Sequence, residues 1–210
     1  MTASRQRPVV RGFTLLELLV VIGLISVLAA LALRGFARDG GGELRQAESV
    51  LGAQLALARA NAIRLGKPVR LAINLDAADL DERLALVALL RQDASSGAWT
   101  LVAEPVRLSR HVRLVPASSV PTGSGVVWPG NFTSRWTATM SVNTPGLPAG
   151  SYGYLEFSAA GGVFGSPKLT FANVVRRADT FEFTSSEQVR CYLVRGSGIA
   201  TLLREAASIP

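Results

Sequence analysis

Apolar residues fill one unbroken block near the N-terminus and then thin into two shorter periodicities. Residues 1–12, MTASRQRPVVRG, are polar and basic with no acidic member. From Phe13 to Leu33 the chain reads FTLLELLVVIGLISVLAALAL. As a helix rising about 1.5 Å per residue, this block spans roughly 32 Å, the thickness of a bilayer core. The apolar region of a secretory signal peptide runs only ~7–15 residues, so the longer block reads as a membrane helix. Arg5, Arg7 and Arg11 precede it and Arg34 and Arg38 follow; the three close-set arginines of the leader favour an N-terminus in the cytoplasm and the remainder outside.

Asp39-Gly40-Gly41-Gly42 interrupts this pattern. Glycine costs about 1 kcal/mol per residue in a helix relative to alanine, so a break or soft hinge is expected here. From Glu43 a helical period returns. Leu44, Ala47, Leu51, Leu55, Ala58, Ala62 and Leu65 form one apolar stripe, while Arg45, Glu48, Gln54, Arg59 and Asn61 fall elsewhere. Gly66 and Pro68 stop the helix. Period-two runs follow, bounded by turn formers. They predict strands at 69–74, 84–91, 100–104, 112–115, 154–157, 168–171, 181–183, 189–194 and 199–203. Residues 76–83 and 92–98 read as hairpin connections. The Ser-, Thr-, Gly- and Pro-rich stretch 116–150 reads as a long insertion or a weakly paired hairpin. The expected architecture is one antiparallel sheet packed on the second half of a long helix.

With 210 residues, one membrane segment and one domain of ordinary size are accommodated. Of 22 basic residues, three lie in the first twelve, leaving 19 against 15 acidic residues, a net +4 for the chain after residue 12. That modest excess gives little reason to expect nucleic-acid binding. One cysteine, Cys191, and one histidine, His111, exclude a Cys/His metal cluster and an internal disulfide. Cys191, in the run VRCYLV, reads as a small buried hydrophobe, with an intermolecular disulfide as the alternative. No nucleophile elbow, phosphate loop or zinc-protease motif is present, so neither an enzyme nor a cofactor is expected. Asp76, Asp79, Asp81 and Glu82 lack the glycine-containing spacing of a calcium loop and read as a solvated turn. Arg176, Arg177, Arg190 and Arg195 are candidates for a DNA contact, but interleaved Glu182 and Glu187 weigh against it.

Glu17 is the informative residue. A carboxylate within an apolar span costs on the order of 2–3 kcal/mol deep in a bilayer and less near the interface, so Glu17 either is solvated at the headgroup level or meets a positive group. The run Arg11-Gly12-Phe13-Thr14-Leu15-Leu16-Glu17 resembles the processing site of type IV pilins and type II secretion pseudopilins. The resemblance implies cleavage by a prepilin peptidase between Gly12 and Phe13, and N-methylation of Phe13. It also implies an assembly role for Glu17, pairing with the new amine of a neighbouring subunit. Two further runs, 58–69 and 155–162, resemble the GspH/FimT group of minor pilins. The implied fold is α+β: a pilin-like long N-terminal hydrophobic helix followed by an antiparallel β-sheet domain. The expected divisions are a leader (1–12), a transmembrane and assembly helix (13–34), a glycine hinge with helical continuation (35–66), and a β-rich periplasmic domain (67–210). The implied function is that of a minor pilin or pseudopilin in a type II secretion pseudopilus or type IV pilus. Other pilins, the peptidase and the inner membrane would be its partners. A DNA-binding minor pilin for DNA uptake is the alternative.

Overall fold

The computed structural model describes residue 15 and residues 18–26, 40–93, 95–117, 133–178, 180–183, 188–205 and 208–209. The chain divides into two compact units, Met1–Asp39 and Gly40–Pro210. In the first, residues 18–26 are helical. Leu15, Leu18, Leu19, Val20, Val21, Ile22, Leu24 and Ile25 are all exposed, so this helix is apolar all round and buries no face within the described residues. Among those residues no helix is long and apolar enough to cross a membrane; much of the expected span 13–34 lies outside them.

The second unit opens with helix α1, Gly40–Leu65. It starts three residues earlier than the glycine pattern predicts, so Gly40, Gly41 and Gly42 form its first turn and not a break before it. Its far end closes as expected. Gly66 adopts φ 62°, and Gly66 N donates to Ile63 O while Lys67 N donates to Ala62 O, each at 3.3 Å. This is the paired bonding of a Schellman cap, which needs a left-handed residue at the glycine.

Eleven antiparallel strands follow among the described residues: β1 Val69–Asn74, β2 Leu86–Gln92, β3 Trp99–Leu101, β4 Val106–Arg107, β5 Val112–Leu114, β6 Ala138–Val142, β7 Gly150–Phe157, β8 Lys168–Arg177, β9 Thr180–Phe183, β10 Val189–Val194 and β11 Ala200–Leu203. They form two sheets where one was expected. The first runs β3-β2-β1-β7-β6 with β4 also on β2; the second runs β11-β10-β8-β5 with β9 also on β8.

The α1 stripe joins them. Leu44, Ala47, Leu51, Leu55, Ala58 and Ala62 pack with Leu71 and Ile73 of β1, Leu114 of β5, Leu155 of β7, and Phe171 of β8 in one buried cluster. Strand positions in that cluster share parity, as the alternation of side chains across a sheet requires. The opposite parity of the first sheet builds a second cluster, Ala72, Leu90, Val142, Tyr152 and Tyr154, with Trp99 and Leu101 against it. On that outer face the Arg70 guanidinium lies 3.8 Å from the Trp99 ring centre and 4.0 Å from that of Tyr154, with Nε donating to Glu156 Oε2 at 2.7 Å. The ring faces and the carboxylate together hold the cation flat.

The 76–83 and 92–98 connections are hairpin links between β1, β2 and β3. The described part of 116–150 contributes β6, paired with β7 from Ala138 opposite Tyr154 to Val142 opposite Gly150. Residues 118–132 lie outside the described residues.

Candidate functional site

Gly12 and Phe13, expected to be the processing residues, and Glu17, expected to act in assembly, lie outside the described residues. The nearest described neighbours are Leu15 and the helical run from Leu18, whose leucine, valine and isoleucine side chains are exposed. A helix apolar on every side is at home only in lipid or among other apolar helices. Ser26, the one hydroxyl described there, turns its Oγ back to donate to Ile22 O at 2.8 Å, which hides its polarity inside the helix.

α1 carries two polar connections that the periodicity did not expose. Glu48 and Asn61 were expected off the apolar face, yet both are buried. Glu48 lies one turn after Leu44, at the margin of the stripe, where β10 and β11 close over it. Arg190 Nε donates to its Oε1 at 3.1 Å and Arg204 Nη2 to its Oε2 at 3.2 Å. Tyr192 Oη donates to the Glu48 carbonyl at 2.8 Å. Asn61 satisfies itself locally: its Nδ2 donates to Leu57 O, and its Oδ1 accepts from Arg64.

At the other connection Glu43, in the first turn of α1, meets the β4–β5 loop. Ser109 Oγ donates to Glu43 Oε2, and His111 Nδ1 lies 2.9 Å from Oε1. Desolvation pushes the Glu43 carboxyl up. Hydrogen bonds from Ser109 and His111, with the charges of His111 and Arg110, outweigh it and leave the pKa lowered.

The four arginines considered for DNA do not come together. Arg176 faces Asp81 at 3.5 Å and Arg177 donates to Glu182 at 2.7 Å, both at one end of β8. Arg190 is engaged by Glu48. Arg195 follows Val194, whose N donates to Pro167 O at the opposite end of β8. Eight residues of strand separate those ends, about 27 Å at ~3.4 Å per residue. Two of the four cations are thus spent on carboxylates at one pole, one supports α1, and one, at the far pole, has no ion pair among the described residues.

The acidic cluster also disperses. Asp76 Oδ1 accepts from Ser151 N, Asp79 Oδ1 accepts from Asp81 N, and Glu82 binds Arg107. No group of three metal-ligating residues is present among the described residues. Cys191 is fully buried, and burial raises its thiol pKa against a hydrogen bond with Thr170. A disulfide to another chain would require that strand to open. Gly161 takes φ 78° in a tight turn where Ser158 N donates to Gly162 O at 2.8 Å, so the glycine pair turns the chain.

The decisive feature is therefore the N-terminal run. Residues 7–33 match the prokaryotic N-terminal methylation motif. That motif spans Gly12, Phe13 and Glu17 and the exposed apolar helix. No curated protein matches the chain. Among solved structures, the chain is similar to the minor pseudopilin EpsH from the type 2 secretion system of Vibrio cholerae, at 16% identity and TM-score 0.46, over 78% of this chain and 96% of that one. It is also similar to the type IV minor pilin FimU of Pseudomonas aeruginosa PAO1, at 15% identity and TM-score 0.46, over 80% and 93%.

Proposed function

We propose that the chain is a minor pilin or pseudopilin, a structural subunit of a type IV pilus or type II secretion pseudopilus. The observation that carries this reading is the methylation motif at residues 7–33, with the Gly12-Phe13 junction followed by Glu17. A prepilin peptidase removes residues 1–12 and methylates the Phe13 amine. The glycine before the cut bond leaves the backbone open to the protease. The helix from Phe13 holds the chain in the inner membrane as a single pass, with the Gly40–Pro210 unit in the periplasm. In the filament, the Phe13 amine of one subunit pairs with Glu17 of the next. Opposite charges in a low-dielectric helix bundle attract strongly, so the pair fixes the axial register between subunits. The apolar sides of residues 15 and 18–26 support this reading, since such a helix needs lipid or apolar partners on every face.

Mass spectrometry of the N-terminus tests it, on protein from cells containing a prepilin peptidase. The expected mature chain begins at N-methyl-Phe13. Retention of Met1 in assembled material, or cleavage beyond Leu33, overturns the reading.

A further inference from the structure

An open cleft of about 410 Å3 lies where α1 meets β10 and the end of β11, lined by Arg45, Glu48, Ser49, Gly52, Tyr192 and Arg204. Gly52 carries no side chain, so the Tyr192 hydroxyl, which donates to Glu48 O, lies against bare helix backbone. A Cβ there would sit 2.6 Å from Oη.

Hydrogen bonding in this cleft is one-sided. Both Glu48 carboxylate oxygens are taken, Oε1 by Arg190 Nε and Oε2 by Arg204 Nε and Nη2. The donors are not used up. Arg204 spends one edge of its guanidinium on Glu48, and its Nη1 makes no hydrogen bond among the described residues; the side chain is 68% exposed. Arg45 and the Ser49 hydroxyl are also exposed, with no hydrogen bond or ion pair among the described residues. The guanidinia of Arg45, Arg190 and Arg204 stand against the single carboxylate of Glu48, an excess of two positive charges. Glu205 is exposed but does not line the cleft. Free donors, no free carboxylate and an excess of positive charge select an anion.

Glu48 also settles how that anion is met. Bonds from Nε and Nη2 to one buried oxygen fix the plane of the Arg204 guanidinium, so its outer edge faces the cleft already oriented. Such an edge matches the two oxygens of a carboxylate, and a cation held in place beforehand loses less side-chain freedom on binding. Ala53, beside Gly52, adds small apolar lining suited to the methylenes of an acidic side chain. The volume falls among those of ligand sites, ~300–1,000 Å3, so flanking backbone is accommodated as well.

We propose that this cleft binds an acidic segment of another polypeptide, through an aspartate or glutamate carboxylate that takes the outer edge of Arg204, with Arg45 and Ser49 Oγ as further donors. The cleft lies wholly within the Gly40–Pro210 unit and does not depend on processing at Phe13.

An NMR titration of the full chain in detergent micelles, with 15N-labelled arginine, tests it at fixed ionic strength. The probe is acetyl-Gly-Glu-Gly-amide and the control acetyl-Gly-Gln-Gly-amide. The glutamate peptide should shift the Nε–H signals of Arg45 and Arg204 saturably, and leave unmoved that of Arg91, an exposed arginine of β2 outside the cleft. The glutamine peptide should shift none of them. Arg45→Gln removes a side chain with no partner to lose, so the fold is kept. It should weaken the apparent affinity roughly threefold, the scale of one solvent-exposed ion pair. Equal responses to the two peptides overturn the proposal, as does an affinity unchanged by Arg45→Gln. Inorganic phosphate or phosphatidylglycerol bicelles moving the Arg45 and Arg204 signals at lower concentration than the glutamate peptide would assign the cleft to a phosphate and overturn it equally.

Discussion

Arg190 on β10 places its Nε 3.1 Å from Oε1 of Glu48 on α1, across the boundary between helix and second sheet. Arg204 shares the same carboxylate, so one buried acid holds two strands to the helix. Glu48→Ala removes the carboxylate that Arg190 and Arg204 share. Breaking a fully buried pair costs about 3–5 kcal/mol. Both arginines keep solvent contact here, so a loss of roughly 2 kcal/mol is expected. Urea unfolding of the detergent-solubilised chain, followed by tryptophan fluorescence, measures it. A midpoint unchanged from wild type would show that the pair contributes nothing.

Gly52 offers a sharper contest between local preference and packing. Helix propensity alone makes Gly52→Ala stabilising by about 1 kcal/mol. A Cβ at this site would lie 2.6 Å from Tyr192 Oη, and Tyr192 is buried and stacked on Phe171. The ring cannot retreat without giving up its bond to Glu48 O, and an unsatisfied buried hydroxyl costs about 1–3 kcal/mol. The substitution is therefore expected to destabilise, against its propensity. Thermal unfolding decides the sign.

Glu43 predicts an acid limb in the stability curve. Its carboxyl is held below its ordinary pKa of 4.5 in the folded chain, so the folded state favours the ionised form. The resulting stabilisation is fully present above pH 4.5 and is lost as the pH falls through the lowered folded value. Glu43→Gln should flatten this acid limb of the curve. Denaturation midpoints between pH 3 and 7 provide the comparison, and identical slopes for the two proteins would contradict it.

For the assembly helix, Glu17→Ala should insert into the membrane at least as well as wild type, because it removes a charge from an apolar segment. Incorporation into filaments should fall on the order of tenfold, the effect of losing ~1.4 kcal/mol per contact. Co-purification with other pilins reads the outcome, and wild-type recovery would remove Glu17 from the assembly mechanism.

Periodic elements were the legible ones. The stripe from Leu44 to Ala62 is buried as its spacing requires, and β1 and β10 match the expected bounds because both are short apolar runs between turn formers. β8 was expected to end at Phe171 but continues to Arg177. Ala172 and Asn173 are weak strand formers, and pairing of Ala172 with Val189 and of Asn173 with Val112 carries the strand through them. β6 lies in a Ser- and Thr-rich stretch and exists through its ladder with β7. Two sheets could not be read from the strands, since β1 is buried on both faces and loses the alternation that assigns a face. Glu48 escaped because a glutamate near a stripe is ordinarily solvated, and its partners lie more than 140 residues away. The methylation motif is the reverse case: it is a contiguous run of residues, so a match over 7–33 needs no fold to be seen.

The short junction from α1 into β1 has a mechanical consequence. Only residues 66–68 separate the helix from a strand that is hydrogen-bonded along both edges, to β2 on one side and β7 on the other. Tension entering the unit along α1 is handed at once to that central strand. Antiparallel ladder bonds run perpendicular to the strand, so a pull along it loads them in shear, several at a time. An edge strand would unzip one bond after another under the same load. Helix α1 is thereby tied to the part of its sheet that yields last.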